Sequence, residues 1–381
     1  MLRVLHLIHG LNRGGIEKWL ITMLRQIPRS ECEMDFCCKG AEIGDLAPIV
    51  QELGAKVYHC PLTPGHFDFI QCLKGILIEG EYQILHNHLG IYSGVAVWLA
   101  HQQSIPVITS FHNTQFPPET NFTRLPIVRQ LRSIYGSVSV NYALHYSDLV
   151  TGCSQGVIKS LDPQGTKIKN GSEVLYYGVN LPDISTPEER TVFRNSFGWS
   201  ADTPVIIHVG RLIEQKNHLG MLSVFQKVLE QIPTVKLLLV GEGLLRSLIE
   251  QTIAQRQLEK SVLLLGLRDD VPWLMSQCNV FLLPSFHEGL PVVALEANAA
   301  NLPVVGSNIP GLTEAVLNGE TALLHDVEDL DGMANSVIKI LSDRQYAQQL
   351  AQAGRAWVKE NYSLAVSANH LVNIYRSVIK T

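Results

Sequence analysis

Residues 205–232 read VIIHVGRLIEQKNHLGMLSVFQKVLEQI. An apolar, β-branched run ends at Gly210, a polar loop follows, and from His218 onward apolar residues recur at helical spacing. A short continuous apolar strand leading into an amphipathic helix is one βα unit of a parallel sheet buried on both faces. The unit recurs along the second half, where KLLLVG, VLLLG, VFLLPS and PVVGS alternate with LRSLIEQTIAQRQ and PVVALEANAA. The first half has its own series: RVLHLIH, MDFCCK, KVYHC, YQILHNH, PVITSFH, LVTGCS and EVLYYG, with helices such as IEKWLITMLRQI and GVAVWLAHQ between them. The two series part at NLPDISTPEER, where Pro182 and Pro187 bracket polar residues and apolar periodicity lapses. The expectation is an α/β protein of two doubly wound, Rossmann-like domains, residues 1–181 and 182–362. Such sheets take ligands outside the carboxyl ends of their strands, so two facing domains would hold one ligand in the cleft between them.

Length agrees, since 381 residues exceed what one core of roughly 250–300 residues supports. At 46% hydrophobic and 17% charged the chain has the apolar material for two cores and is not disordered. A net charge of -5 argues against nucleic acid as a partner, which calls for a domain-wide basic field. Seven cysteines in so long a chain do not form a disulfide framework, and adjacent Cys37 and Cys38 suit neither a bridge nor a CxxC metal site. A reducing compartment fits best. The N-terminal MLRVLHLIHGLNRGG is broken by Arg3, His6 and His9 and reads as a first strand, not a signal peptide. No window reaches the roughly 18–20 apolar residues of a spanning helix. The expected location is cytoplasmic, with any membrane contact peripheral.

Three segments carry candidate chemistry. GRLIEQKNH puts Arg211 and Lys216 in the loop after a strand, where both cations could neutralise a diphosphate leaving group. HGLNRGGIEK puts Gly14 and Gly15 at a helix start, where backbone can approach an anion. Neither this loop nor GEGLLR is GxGxxG, so the nicotinamide fingerprint is missing. FHEGLPVVALEANA carries Glu288 at a strand end and Glu296 in the following helix, with Pro291 expected as the first helical residue. The carboxylates would bracket a helix N-terminus about 7–8 Å long at 1.5 Å per residue. Amides near Gly289, Leu290 and Val292 would hold phosphate there while the acids accept from sugar hydroxyls. Both acids lie on one loop and helix, a poor arrangement for a glycosidase, whose carboxylates flank the bond from opposite faces.

With GGIE after the first strand, GRLIEQK after the linker, GEG, and Glu288 and Glu296 with seven residues between them, the chain resembles the retaining GT-B glycosyltransferases of family four, of the exopolysaccharide and capsular type. The resemblance implies two Rossmann-like domains facing across a cleft, with a C-terminal helix at about 363–381 packing back onto the first. It implies a nucleotide-sugar donor, UDP-glucose favoured, with no cofactor or metal required, and a polysaccharide or lipid-linked saccharide acceptor. By the same resemblance Glu288 meets the donor hexose and Glu296 the ribose. Arg211 and Lys216 neutralise the diphosphate, His112 of TSFHN lies beneath the sugar, and backbone at Leu267 and Arg268 holds the base. YYGVN stands where GVD is commoner, at Asn180. A sugar-nucleotide epimerase of the same fold and a non-catalytic nucleotide-sugar binder are the alternatives.

Weaker signals remain. Residues 121–144 hold Arg124, Arg129 and Arg132 among apolar residues, which suits peripheral contact with anionic lipid as well as an ordinary surface helix. His86 and His88 share a strand face, and with no third ligand nearby in sequence a hydrogen-bonding role is expected over a metal. Asp329 and Asp331 spell DxD but precede GMANSVIKIL and read as helix caps.

Overall fold

The computed structural model describes residues 1–12, 14–62, 66–112 and 126–379. The chain divides into two compact units, Met1–Gly178 with Leu364–Thr381, and Val179–Ser363. The division falls slightly before the prolines of NLPDISTPEER, because Val179 N donates to Tyr362 O (2.8 Å) and belongs to the second unit.

The first unit runs β1 (Leu2–Ile8), α1 (Gly15–Gln26), β2 (Cys32–Cys38), α2 (Ala47–Glu52), β3 (Val57–His59), α3 (His66–Glu79), β4 (Ile84–Asn87), α4 (Ser93–Gln102), β5 (Val107–Phe111), α5 (Pro126–Tyr146), β6 (Leu149–Gly152), α6 (Gln155–Leu161) and β7 (Ser172–Val174). Its seven strands lie in the order β3-β2-β1-β4-β5-β6-β7, every pair parallel. The central strands β4 and β5 are buried along their length, with the polar side chains of His86, Asn87, Thr109 and Ser110 buried among their apolar residues. Of EVLYYG only Glu173 and Val174 lie in β7, together with Ser172 before them, so β7 is a short edge.

The second unit runs α7 (Pro187–Ser196), β8 (Val205–Val209), α8 (His218–Gln231), β9 (Lys236–Val240), α9 (Arg246–Gln255), β10 (Val262–Gly266), α10 (Val271–Gln277), β11 (Val280–Leu283), α11 (Val292–Ala299), β12 (Val304–Ser307), α12 (Pro310–Ala315), β13 (Ala322–His325), α13 (Leu330–Ser342) and α14 (Arg344–Asn361). Its sheet has the order β10-β9-β8-β11-β12-β13, again all parallel. Helix α8 shows why the opening stretch folds as it does. Asn217 takes a left-handed conformation (φ 52°) and its side chain accepts from Gly220 N, capping the helix. Met221, Leu222, Val224, Phe225 and Val228 then face Leu237, Leu239, Val280 and Leu282 of the sheet. Each such side chain contributes roughly 1.5–3 kcal/mol on burial. Helix α7 starts with a full capping box between Thr186 and Glu189.

The final helix, α15 (Leu364–Ile379), belongs to the first unit. It packs against α1, where Trp19 Nε1 donates to Ser367 Oγ (3.0 Å) and Ser367 Oγ donates to Tyr176 O (3.0 Å).

Cys60 and Cys72 are joined by a disulfide, which the sequence reading did not anticipate. They lie at the end of β3 and inside α3, brought together by the apolar core those elements share with Phe69 and Leu73. The other cysteines are buried thiols. No helix among the described residues is long and apolar enough to cross a membrane.

Gly241 follows β9 with φ +138°, and a Cβ there would sit 1.9 Å from Gly210 O. Gly15, by contrast, has nothing within 4 Å of a Cβ position. Gly241→Ala should therefore lose roughly 2–4 kcal/mol of stability from combined strain and overlap. Gly15→Ala should stay within about 1 kcal/mol of wild type. Urea unfolding of both variants checks the contrast, and equal stabilities would contradict it.

Candidate functional site

In the second unit the loops after β8 and β11 form one assembly. Gly210 N donates to Val240 O, Leu212 N to Glu242 O and Leu245 N to Leu212 O, each at 2.9 Å, so the GEG turn holds the Gly210–Leu212 segment from behind. Arg211, held between them, is exposed, and its side chain has no hydrogen-bond or ion-pair partner among the described residues. The chain then tightens into a 3-10 turn at Glu214–Lys216. Phe286 N donates to Gln215 O (2.9 Å) and Gln215 Nε2 donates to His287 O (2.8 Å), docking this turn on the loop after β11. Within that dock Lys216 Nζ meets Glu288 Oε1 at 2.6 Å, with side chains only 12% and 7% exposed.

The sequence reading gave Lys216 to a diphosphate and Glu288 to a sugar as separate tasks; the structure makes them partners. Removing one member of such a buried pair leaves the other charged and unpaired, typically at 3–5 kcal/mol. Gln215 was passed over in the sequence, although its position beside Lys216 in a strand-end turn was visible.

Glu288 leads into α11 with two departures from expectation. Pro291 (φ −77°, ψ 83°) is the cap and Val292 the first helical residue, because Pro291 is not helical in ψ. The amide of Val292 is not available to an anion, since it donates to Leu290 O at 2.9 Å. The amides of Gly289 and Leu290 donate to no acceptor among the described residues. Glu296 is half-buried one turn into α11. Beyond β10, Leu267 is 74% exposed, and the Arg268 guanidinium binds Asp270 through two bonds of 2.8 and 2.6 Å.

Three buried polar atoms near the carboxyl ends of β8, β11 and β12 lack a protein partner: His208 Nε2, Ser285 Oγ and Ser307 Oγ. His208 donates its other nitrogen to Leu282 O (2.9 Å), and burial holds the ring neutral, so Nε2 presents a bare lone pair. Adjacent strands thus offer unsatisfied polar groups on the same edge as Lys216 and Glu288, which calls for a polar ligand or water. Nothing in their spacing marked them in the sequence. Asp329 caps α13 by accepting from Gly332 N (2.8 Å), and Asp331 pairs with Lys227.

In the first unit Gly14 caps α1 in an extended conformation, and the Glu17 carboxylate lies where a Gly14 Cβ would be. The helix start is therefore screened by its own acid, whose pKa burial raises. His112, just after β5, is bonded on both ring nitrogens, Nδ1 to the Tyr177 hydroxyl and Nε2 to His88 Nδ1 (3.1 Å). Burial pushes His112 down to about 3 and His6 to the same value, and His86 and His88 well below their ordinary range. His86 and His88 are hydrogen-bonded as expected, although a third histidine, distant in sequence, does lie beside them. His6, on neighbouring β1, brings a ring nitrogen within 4.8 Å of theirs. Arg124 lies outside the described residues.

Residues 13–181 match the model of Glycosyltransferase Family 4, and residues 189–357 that of Glycosyl transferases group 1. The fold and the paired strand-end loops define a two-domain, GT-B glycosyltransferase. The chain belongs to glycosyltransferase family 4 and is a transferase. It is 30% identical over 383 residues to the uncharacterized glycosyltransferase MJ1607 of Methanocaldococcus jannaschii, covering 95% of this chain and 94% of that one. It is 28% identical over 323 residues to the putative glycosyltransferase EpsF of Bacillus subtilis (strain 168), covering 82% and 80%. Among solved structures it superposes on Anabaena HepE in complex with UDP-glucose with TM-score 0.82, at 21% identity, over 99% of this chain and 100% of that one.

The depressed histidines bear on stability. An unfolded histidine titrates near 6.5, so below that pH the unfolded chain takes up protons that the folded chain refuses. Stability is complete above about pH 6.5 and is lost as pH falls toward 3, by roughly 1.4 kcal/mol per pH unit for each of His6 and His112. Denaturant titrations at steps below neutrality should show this slope, and His112→Gln should make it shallower. A slope indifferent to that substitution would contradict the assignment.

Proposed function

We propose that the enzyme moves a hexose, glucose first among candidates, from a UDP-sugar to a polysaccharide or lipid-linked saccharide acceptor, with retention of configuration and without a metal. The observation that carries this is the Lys216–Glu288 pair, preformed on one strand edge beside exposed Arg211 and the open amides of Gly289 and Leu290. HepE, alike in fold, has been captured with UDP, with UDP and glucose, and with UDP-glucose.

In this reading Lys216 and Arg211 take the charge that grows on the diphosphate as the bond from the anomeric carbon to the leaving oxygen breaks. Glu288 accepts from a hexose hydroxyl and holds Lys216 in place, while Glu296 accepts from the ribose. The backbone after β10, at Leu267 and Arg268, receives the base, and Gly14 and Gly15 offer backbone to the phosphates once the Glu17 carboxylate turns away. The leaving phosphate oxygen takes the acceptor's hydroxyl proton as the new glycosidic bond forms on the same face. His112 lies by the reacting carbon, where a neutral ring opposes the developing positive charge less than an imidazolium would.

A peripheral membrane contact accompanies this reading. On α5, Leu131, Ile134 and Val138 are 61%, 55% and 63% exposed and recur at helical spacing, with exposed Arg132 beside them. Such a basic, apolar face suits an anionic bilayer, where a lipid-linked acceptor would reside.

Glu288→Ala and Lys216→Ala should each lower kcat/KM with UDP-glucose by about 10²–10³, equivalent to roughly 2.7–4 kcal/mol of transition-state stabilisation. Near-wild-type turnover in either variant refutes the roles given. A panel of nucleotide sugars assayed by thermal shift names the donor, because a ligand at a hundred times its Kd adds roughly 2.7 kcal/mol. Donor conversion in the absence of any acceptor would favour an epimerase instead.

For the membrane contact, sedimentation with phosphatidylglycerol-containing vesicles should exceed that with phosphatidylcholine alone. Ile134→Asp with Val138→Asp should reduce it about tenfold, given roughly 0.8 kcal/mol per buried methylene. Equal partition of wild type and variant would sink that part of the proposal.

A further inference from the structure

A chain of side-chain hydrogen bonds crosses the first unit. Tyr177 Oη meets His112 Nδ1, and His112 Nε2 meets His88 Nδ1 at 3.1 Å. His88 Nε2 meets His6 Nδ1 at 3.1 Å, and His6 Nε2 meets Tyr375 Oη at 3.2 Å. Tyr375 Oη meets His86 Nδ1 at 2.8 Å, His86 Nε2 meets Ser110 Oγ at 2.7 Å, and Ser110 Oγ meets Thr151 Oγ1. The members come from β1, β4, β5, β6 and α15 and from the segments just after β4 (His88), β5 (His112) and β7 (Tyr177), and no ring nitrogen among them is left over.

We propose that Tyr375, on the final helix, is a positioning residue for His112: its hydroxyl joins the two halves of this chain and so decides which His112 nitrogen carries the proton. Each neutral imidazole has one N–H and one lone pair, and a hydroxyl can both donate and accept. With no buried O–H or N–H left unpaired, every link has its proton on the same side, which leaves two patterns, one running each way. The ends choose between them. A phenol gives up its proton more readily than an aliphatic hydroxyl, so Tyr177 donates and the Ser110–Thr151 end accepts.

His112 is then the Nε2–H tautomer, with Nδ1 accepting from Tyr177. His88 and His6 follow as Nε2–H, Tyr375 donates to His86 Nδ1, and His86 Nε2–H donates to Ser110. Loss of the Tyr375 hydroxyl leaves His6 Nε2 buried without a partner. An orphaned lone pair costs less there than an orphaned N–H, so His6 moves its proton to Nδ1. His88 and His112 must follow, and His112 becomes Nδ1–H. Loss of the Ser110 hydroxyl acts at His86 Nε2 and reverses the run by the same rule.

A metal on His6, His86 and His88 would use the same nitrogens. Two ligands of one zinc stand about 3.3 Å apart, from bonds of 2.0–2.1 Å at a tetrahedral angle. His6 Nδ1 and His88 Nε2 approach to 3.1 Å, but as a hydrogen-bonded pair, and every ring nitrogen of the three histidines already has a partner that a zinc ion would have to displace.

The full chain labelled with ¹⁵N-histidine tests this by two-bond proton–nitrogen correlation spectra, which separate the two neutral tautomers, with His112→Gln supplying the assignment. Wild type should show His112 as Nε2–H. Tyr375→Phe and Ser110→Ala should each convert it to Nδ1–H, while Ser367→Ala, which loosens α15 outside the chain, should not. An Nδ1–H ring in wild type, no change in the variants, or an equal change in Ser367→Ala overturns the proposal. So does stoichiometric zinc binding that shifts His6, His86 and His88 together.

In the transferase assay Tyr375→Phe should lower kcat about tenfold with donor KM unchanged, whereas a merely loosened fold would raise KM as well. This last arm rests on the donor-site reading; the tautomer arm does not, so the two can fail separately.

Discussion

Parallel strands all deliver their carboxyl ends to one edge of a sheet, and the connections after neighbouring strands must emerge side by side. In the second unit β8 and β11 are such neighbours, which is why GRLIEQK and FHEGL, distant in sequence, share hydrogen bonds and an ion pair. The same geometry crowds the β8 and β9 loops until only a glycine fits at 241, with Gly210 O against it. Packing here is so close that the backbone of one loop forms the floor of the next.

The two units treat ionisable groups in opposite ways. The second buries a lysine and a glutamate as partners, each meeting the other's desolvation with an opposite charge. The first buries four histidines without a counter-charge and keeps them neutral, so hydrogen bonds alone must satisfy them. A charged pair can hold a charged ligand, and a neutral network can stand next to positive charge in the making.

Much of the architecture was legible in the sequence because buried parallel strands are continuous apolar words. VIIHV, KLLLV, VLLLG and PVITSFH need no context, and the helix after Asn217 announces itself by its spacing. Strand β13 was not read, since ALLH is four residues among polar ones and is a strand only because β12 pairs with it. Helix α14 escaped for a similar reason, its apolar face being thin amid Arg, Gln and Lys.

At the site, residue types were legible and pairings were not. Lys216 and Glu288 were each visible, yet a 2.6 Å contact depends on which strands adjoin, and periodicity does not state that. His6 was dismissed as an interruption of a strand. Its neighbour relation to His86 through the β1–β4 register turns it into a link of the network.

The chain order of the units has one more consequence. The second unit is an insertion, for the first begins at Met1 and receives its last helix only after Ser363. A ribosome working from the N-terminus therefore completes the inserted body first. The body begun earliest stays without Tyr375, and with His6 and His86 lacking their shared hydroxyl, until the whole second unit has been made.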